Sequence, residues 1–175
     1  MKELNLATVI LIALVTSCFL QVGAQLFALS VVASTIAEAP PRSFAILDGE
    51  YGYDSSAFWN TVPLITLLLF VIALITNWKS PRRKFLLVSL TLFLVAGIIA
   101  GVYLEPLFAG MIATGYSDKI DPVLQTQAAR WLVYDWIVWG LGLLAGLFLL
   151  LALLCPLRIS NLSPASKSDK EIHHD

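Results

Sequence analysis

The sequence predicts an all-α polytopic membrane protein, a bundle of four transmembrane helices, on three observations. Of its 175 residues 58% are hydrophobic and only 13% charged, with a mean hydropathy of +0.83. A soluble domain sits nearer half apolar and about a quarter charged. The apolar residues also fall in four long blocks, each close to the roughly 20 residues that cross a lipid core of about 30 Å as a helix. Finally, the connections between blocks alternate in charge, as the positive-inside rule expects.

The first block runs from about Leu6 to Ala37, with Gln21 and Gln25 as its strongly polar interruptions. Val15-Thr16-Ser17-Cys18 resembles a bacterial lipobox and Val22-Gly23-Ala24 a signal-peptidase site. The apolar run continues well past both, whereas a signal h-region ends near its cleavage point, so a retained helix is expected. The second block spans Thr61 to Trp78, with Asn60 as its cap and Pro63 in the first turn, where proline is tolerated. The third spans Phe85 to about Leu104 and the fourth Trp131 to Cys155, with Pro156 at a natural stop. Backbone groups cannot stay unpaired in lipid, so all four should be helical. Residues 1–157 then form one transmembrane domain. The polar, charge-mixed stretch 158–175 has the composition of a disordered cytoplasmic tail.

Orientation follows from Lys and Arg. The connection after the second block carries Lys79, Arg82, Arg83 and Lys84 and no acid, and Lys2, Arg158, Lys167 and Lys170 flank the termini. Residues 38–58 set Arg42 against Glu38, Asp48, Glu50 and Asp54. Residues 105–130 set Lys119 and Arg130 against Glu105, Asp118 and Asp121. A multi-pass protein of the cell membrane with both termini cytoplasmic is expected. The net charge of -1 argues against a nucleic-acid partner. The two cysteines, Cys18 and Cys155, lie in or beside apolar runs and read as free thiols. Both histidines are at the extreme C-terminus, so neither a His-ligated metal nor a haem is expected in the membrane body, and no cofactor is implied.

Gly97 and Gly101 are four apart, as are Ala96 and Ala100, and Gly142 and Gly146 repeat the spacing on the fourth helix. Small residues at this interval let helices approach closely in lipid, either within the bundle or across a homodimer or partner seam. At about 100° per residue, Asp135 falls on the same face as Gly142 and Gly146, which turns it into the bundle. Ser17, Gln21 and Gln25 form a polar stripe on the first helix.

Charged and aromatic residues gather at the outer ends of the helices. Glu38, Glu105, Arg130 and the deeper Asp135 are joined there by Trp59, Tyr103, Trp131, Tyr134 and Trp136. Interfacial belts of Trp and Tyr explain the aromatics, and an ion pair of Arg130 with Glu38, Glu105 or Asp135 would explain the charges. The functional alternative is an outward-facing pocket. In it Asp135 would serve as general base, Arg130 would hold an enolate, phenolate or carboxylate, and Glu38 would complete the set. Gln21, Gln25, Asn60, Tyr103, Glu105 and Trp131 would line it.

The stretch STIAEAPPR at 34–42 places Glu38 and Pro40 in an E-x-P arrangement, Pro106 follows the third helix, and Arg130-Trp131 opens the fourth. This order of features, over roughly residues 6–155, resembles the small four-helix membrane family of anthrone oxygenase-like proteins. Its bacterial members are mostly described only as a domain of unknown function. In that pattern an Asn commonly stands where this chain has Phe108, and a His and an Arg where it has Asp135 and Val138. The resemblance implies the four-helix frame and a site near the outer helix ends. It also implies binding of a small hydrophobic molecule, or anthrone oxygenase-like action on one by cofactor-free proton abstraction. The alternative is a non-enzymatic accessory or scaffold subunit packing through its glycine faces. The residues leave open whether the protein is an enzyme.

Overall fold

Every apolar block is helical, and every helix is longer than its block. The computed structural model describes residues 5–155; Lys2, Pro156 and the tail expected at 158–175 lie outside the described residues. Helix α1 is Leu6–Glu38, α2 is Ser56–Thr76, α3 is Arg82–Ile112 and α4 is Pro122–Leu154, each long and apolar enough to cross a membrane. The chain is thus a multi-pass membrane protein whose described residues contain no strand.

Three helix limits differ widely from the sequence expectation, each for a local reason, while α2 ends at Thr76, two residues short of Trp78, and α3 starts at Arg82, three before Phe85. Asn60 does not cap α2. The helix starts at Ser56, five residues before Thr61, where Asp54 Oδ1 accepts the Ser56 N–H at 2.8 Å, and Pro63 consequently lies inside it. Pro106 does not end α3. A π-helical turn at Ala100–Leu104 precedes it and the α-helix resumes at Glu105. A proline cannot donate to the carbonyl four residues back, and a wide turn absorbs that missing bond. Likewise α4 does not begin at Trp131. Asp121 accepts the N–H groups of Val123 and Leu124, and Pro122 takes the first helical position, where it costs no bond. Hydropathy locates the lipid-buried length of a helix, and these ends project beyond it.

A second π-helical turn occupies Ala28–Ala33 in α1. There Ser34 Oγ donates to the Ser30 and Val31 carbonyls and Thr35 Oγ1 to Val31. Such back-bonding competes with the backbone ladder and bends helices. Pro40 and Pro41 then stop α1. The orphaned Ile36 carbonyl takes a bond from Ser43 Oγ at 2.6 Å, and that of Glu38 takes one from Gln125 Nε2 at 2.9 Å. The following turn, Arg42–Leu47, lays buried Phe44 onto the bundle.

Helix α4 packs between α1 and α3, and α2 packs on the other side of α1, touching α3 only sparsely. At the end carrying Lys79–Lys84, the basic end, all four helices share one core: Leu11, Leu14 and Cys18 with Phe70, Ala73, Leu86, Leu149 and Ala152. The core at the far end is built by α1, α3, α4 and Phe44, with no residue of α2. Gly146 and Gly142 lie on the α1–α4 seam, where an added Cβ would stand 3.1 Å from Phe19 and 3.7 Å from Val22 respectively. Gly97 and Gly101 do not pack within the bundle, since a Cβ there would meet nothing within 4 Å.

Candidate functional site

A polar track runs along α1 from the middle of the apolar body towards the far end. Its residues recur every four positions, the interval that keeps side chains on one helix face. Deepest is Ser17, whose hydroxyl lies 2.7 Å from that of Thr66 on α2, and Gln21 Nε2 donates to the same Thr66 Oγ1. Thr66 is fully buried and returns its own proton to the Val62 carbonyl at 2.9 Å. Each step of four residues turns the stripe by about 40°, so it drifts around α1 and Gln25 faces α4 instead of α2. Gln25 Nε2 donates to Asp135 Oδ1 at 2.9 Å. One turn further along α4, the Trp139 indole N–H donates to the Val22 carbonyl at 3.2 Å.

The depth of this pair can be placed from both helices. Gln25 is 19 residues from Leu6 and Asp135 is 19 residues from Leu154, about 28 Å in each case at 1.5 Å per residue. Both side chains therefore sit near the boundary of a lipid core of about 30 Å. A carboxylate there costs less than the 2.5–3.5 kcal/mol or so found at mid-helix. Asp135 is half-buried, and its one hydrogen bond among the described residues is from a neutral amide, which leaves Oδ2 free to accept another donor. Glu105, expected to line the same pocket, is exposed on α3.

The expected pocket of Glu38, Arg130 and Asp135 is not assembled as one cluster. Glu38 lies 13 residues beyond Gln25 on α1, about 19 Å along the axis, and its side chain is exposed. Arg130 is exposed too and is turned about 140° from Asp135 around α4. Because α1 and α4 both continue past the lipid boundary, residues expected at one level are spread along the helices. Among the expected lining residues, Gln25 is bonded to Asp135 and Gln21 lies one turn deeper. Asn60 is exposed on α2. Tyr103 stacks edge-on against Tyr134 at 4.9 Å, and Trp131 lies flat on Phe108 at 5.1 Å, closing the α3–α4 seam. Phe108 serves packing here.

Thr66 and Trp139 are site residues that the sequence reading did not single out. Thr66 is the polar residue in the apolar run PLITLLLF, and Trp139 follows Asp135 by four. Either signal is readable once a partner helix is known. Among the described residues no group of three or more His, Cys, Asp or Glu could hold a metal ion. Comparison with protein-family models, curated proteins and solved structures gives no match for this chain.

Proposed function

We propose that this protein binds a small hydrophobic molecule carrying a hydrogen-bond donor, such as a phenol, an enol or an amine, at Asp135. One observation carries the reading: a half-buried carboxylate at the edge of the apolar body is bonded to a neutral amide and has one oxygen unoccupied. Ionisable groups within membrane-spanning helices are rare, and one that faces the bundle interior is a candidate ligand or proton site. The π-helical turns of α1 and α3 support it, because both lie within two turns of Gln25 and Glu105, and such turns recur at functional sites. A phenol or enol donating to Oδ2 would be placed to pass its proton to the carboxylate, leaving the anion beside Gln25. Anthrone oxygenase-like action would build on that proton transfer. With Asp135 and Val138 in the places of the family's His and Arg, binding is the better-supported half of this proposal. In the same proposal the protein lies in the cell membrane with both termini cytoplasmic, on the strength of the four bases at 79–84.

Native mass spectrometry of the purified full chain tests the site. Wild type should retain a small molecule that Asp135→Asn loses while its unfolding profile stays unchanged. Retention of the same molecule by both proteins would remove Asp135 from the site, and an empty wild type would remove the site itself.

A second reading rests on Gly97 and Gly101, which are exposed on α3 and unused by the bundle. They fit an accessory subunit that presents a close-packing face to a larger membrane protein. That reading calls for a partner that co-purifies with wild type and is lost in Gly97→Leu.

A further inference from the structure

We infer that the α2–α3 connection is a binding site for the headgroup of an anionic phospholipid. The connection begins where α2 ends at Thr76 and closes where α3 begins at Arg82, so it lies at the level where apolar helix gives way to headgroups. Residues 77–84 hold Lys79, Arg82, Arg83 and Lys84 and no acid. Three of these bases, Lys79, Arg83 and Lys84, are exposed, and Arg83 is held by a neighbouring ring. The Arg83 guanidinium stands 4.8 Å over the ring of Trp78. Trp78 itself is 54% exposed, an indole placed at an interface, where this side chain is favoured. Stacking on Trp78 fixes the guanidinium plane while leaving its N–H edge available for the paired bonds that phosphate oxygens accept.

Arg82 adds charge to the site without neutralising it. Its side chain is only 5% exposed. Nε donates to the Cys155 carbonyl at 2.9 Å and Nη1 to Thr8 Oγ1 at 3.1 Å. Both acceptors are neutral, so its described bonds leave a full positive charge beneath the connection. The start of α3 contributes the same sign: its first turn holds no acid, and its first N–H, that of Arg82, meets only the neutral Ser80 hydroxyl at 3.3 Å. The positive end of the helix dipole therefore meets no negative charge in that turn. Four cations, one of them a guanidinium stacked on Trp78, at a helix start without an acid call for an anion, and location selects the source. A lipid phosphate is held at this depth by its own acyl chains, whereas a soluble phosphate is not.

The test uses the full chain in detergent with phosphatidylglycerol and phosphatidylcholine as competing probes, read by native mass spectrometry. Each base near an anionic surface contributes roughly five-fold in affinity, so Lys79→Gln, Arg83→Gln and Lys84→Gln together should weaken phosphatidylglycerol retention on the order of a hundred-fold. Phosphatidylcholine retention should not change. The three side chains are exposed, and an unchanged unfolding profile confirms that the variant folds. Equal retention of the two lipids by wild type would overturn the inference, as would undiminished phosphatidylglycerol retention by the triple variant. Displacement of the lipid by millimolar glycerol phosphate would show a soluble-phosphate site and overturn the lipid assignment.

Discussion

Gln25 and Asp135, 110 residues apart in the chain, are joined by a hydrogen bond of 2.9 Å between α1 and α4. The bond ties the polar stripe of one helix to the acid of another at the edge of the apolar body. The same seam carries Trp139 against Val22 and Phe19 against Gly146. The proposed binding site and the packing of the bundle therefore share one interface, and substitutions along it should separate them.

The contribution of the pair itself should be modest. Interhelical hydrogen bonds in membranes average about 0.6 kcal/mol and reach about 1.7. A double-mutant cycle of Gln25→Leu and Asp135→Leu, followed by unfolding in detergent, should return a coupling in that range. A coupling near zero would mean that the two side chains do not meet in the folded protein.

Glycine should be required at 146 and dispensable at 97. Gly146→Leu forces the Phe19 ring aside, and overpacking of this kind costs about 1–3 kcal/mol. Phe19→Ala in the same chain should return part of the loss. Gly97→Leu points into open space and should stay within about 0.5 kcal/mol of wild type. Thermal unfolding in detergent distinguishes the two positions directly.

Arg82 should act as a clamp at the basic end. Its guanidinium joins α3 to the Cys155 carbonyl just past the end of α4 and to Thr8 of α1. Arg82→Met should cost about 1–3 kcal/mol through acceptors left without a donor. Amide exchange should then quicken at residues 151–155, while Leu11 and Leu14, deeper in the same core, keep their protection.

The connection between α3 and α4 offers a pH signature. The Tyr116 hydroxyl donates to Asp118 Oδ1 at 2.6 Å, and this bond, with the negative charge of Asp118, holds the phenol above its ordinary value. The neutral phenol is the favoured form. Whatever the bond contributes is fully present below the ordinary tyrosine range and is lost as pH rises through the elevated one. Asp118→Asn should move the Tyr116 transition downward in an ultraviolet titration read against a Tyr116→Phe control.

Much of the frame is legible in the chain because transfer into lipid is a local property of each segment. Four apolar blocks are enough to specify four helices, and about 100° per residue correctly turned Asp135, Gly142 and Gly146 toward a shared seam. The helix ends were less legible. Asp121-Pro122 and Asp54-Ser55-Ser56 are start signals, but they lie outside the apolar windows that hydropathy detects. Pro106 reads as a stop until the π-helical turn before it is seen.

Composition and spacing thus settled the class of the protein, the order of its helices and the faces of its polar residues. Which of those residues meet was decided by rotation and axial offset between helices, which single-helix periodicity does not contain. Gln25 reaches Asp135 while Gln21, one turn below, reaches Thr66. Glu38 and Arg130, near Asp135 in the expected arrangement, are carried away from it by the length of α1 and the turn of α4. The physical reason is geometric: each residue advances a helix by about 1.5 Å and turns it by about 100°, so a few residues of register decide every contact.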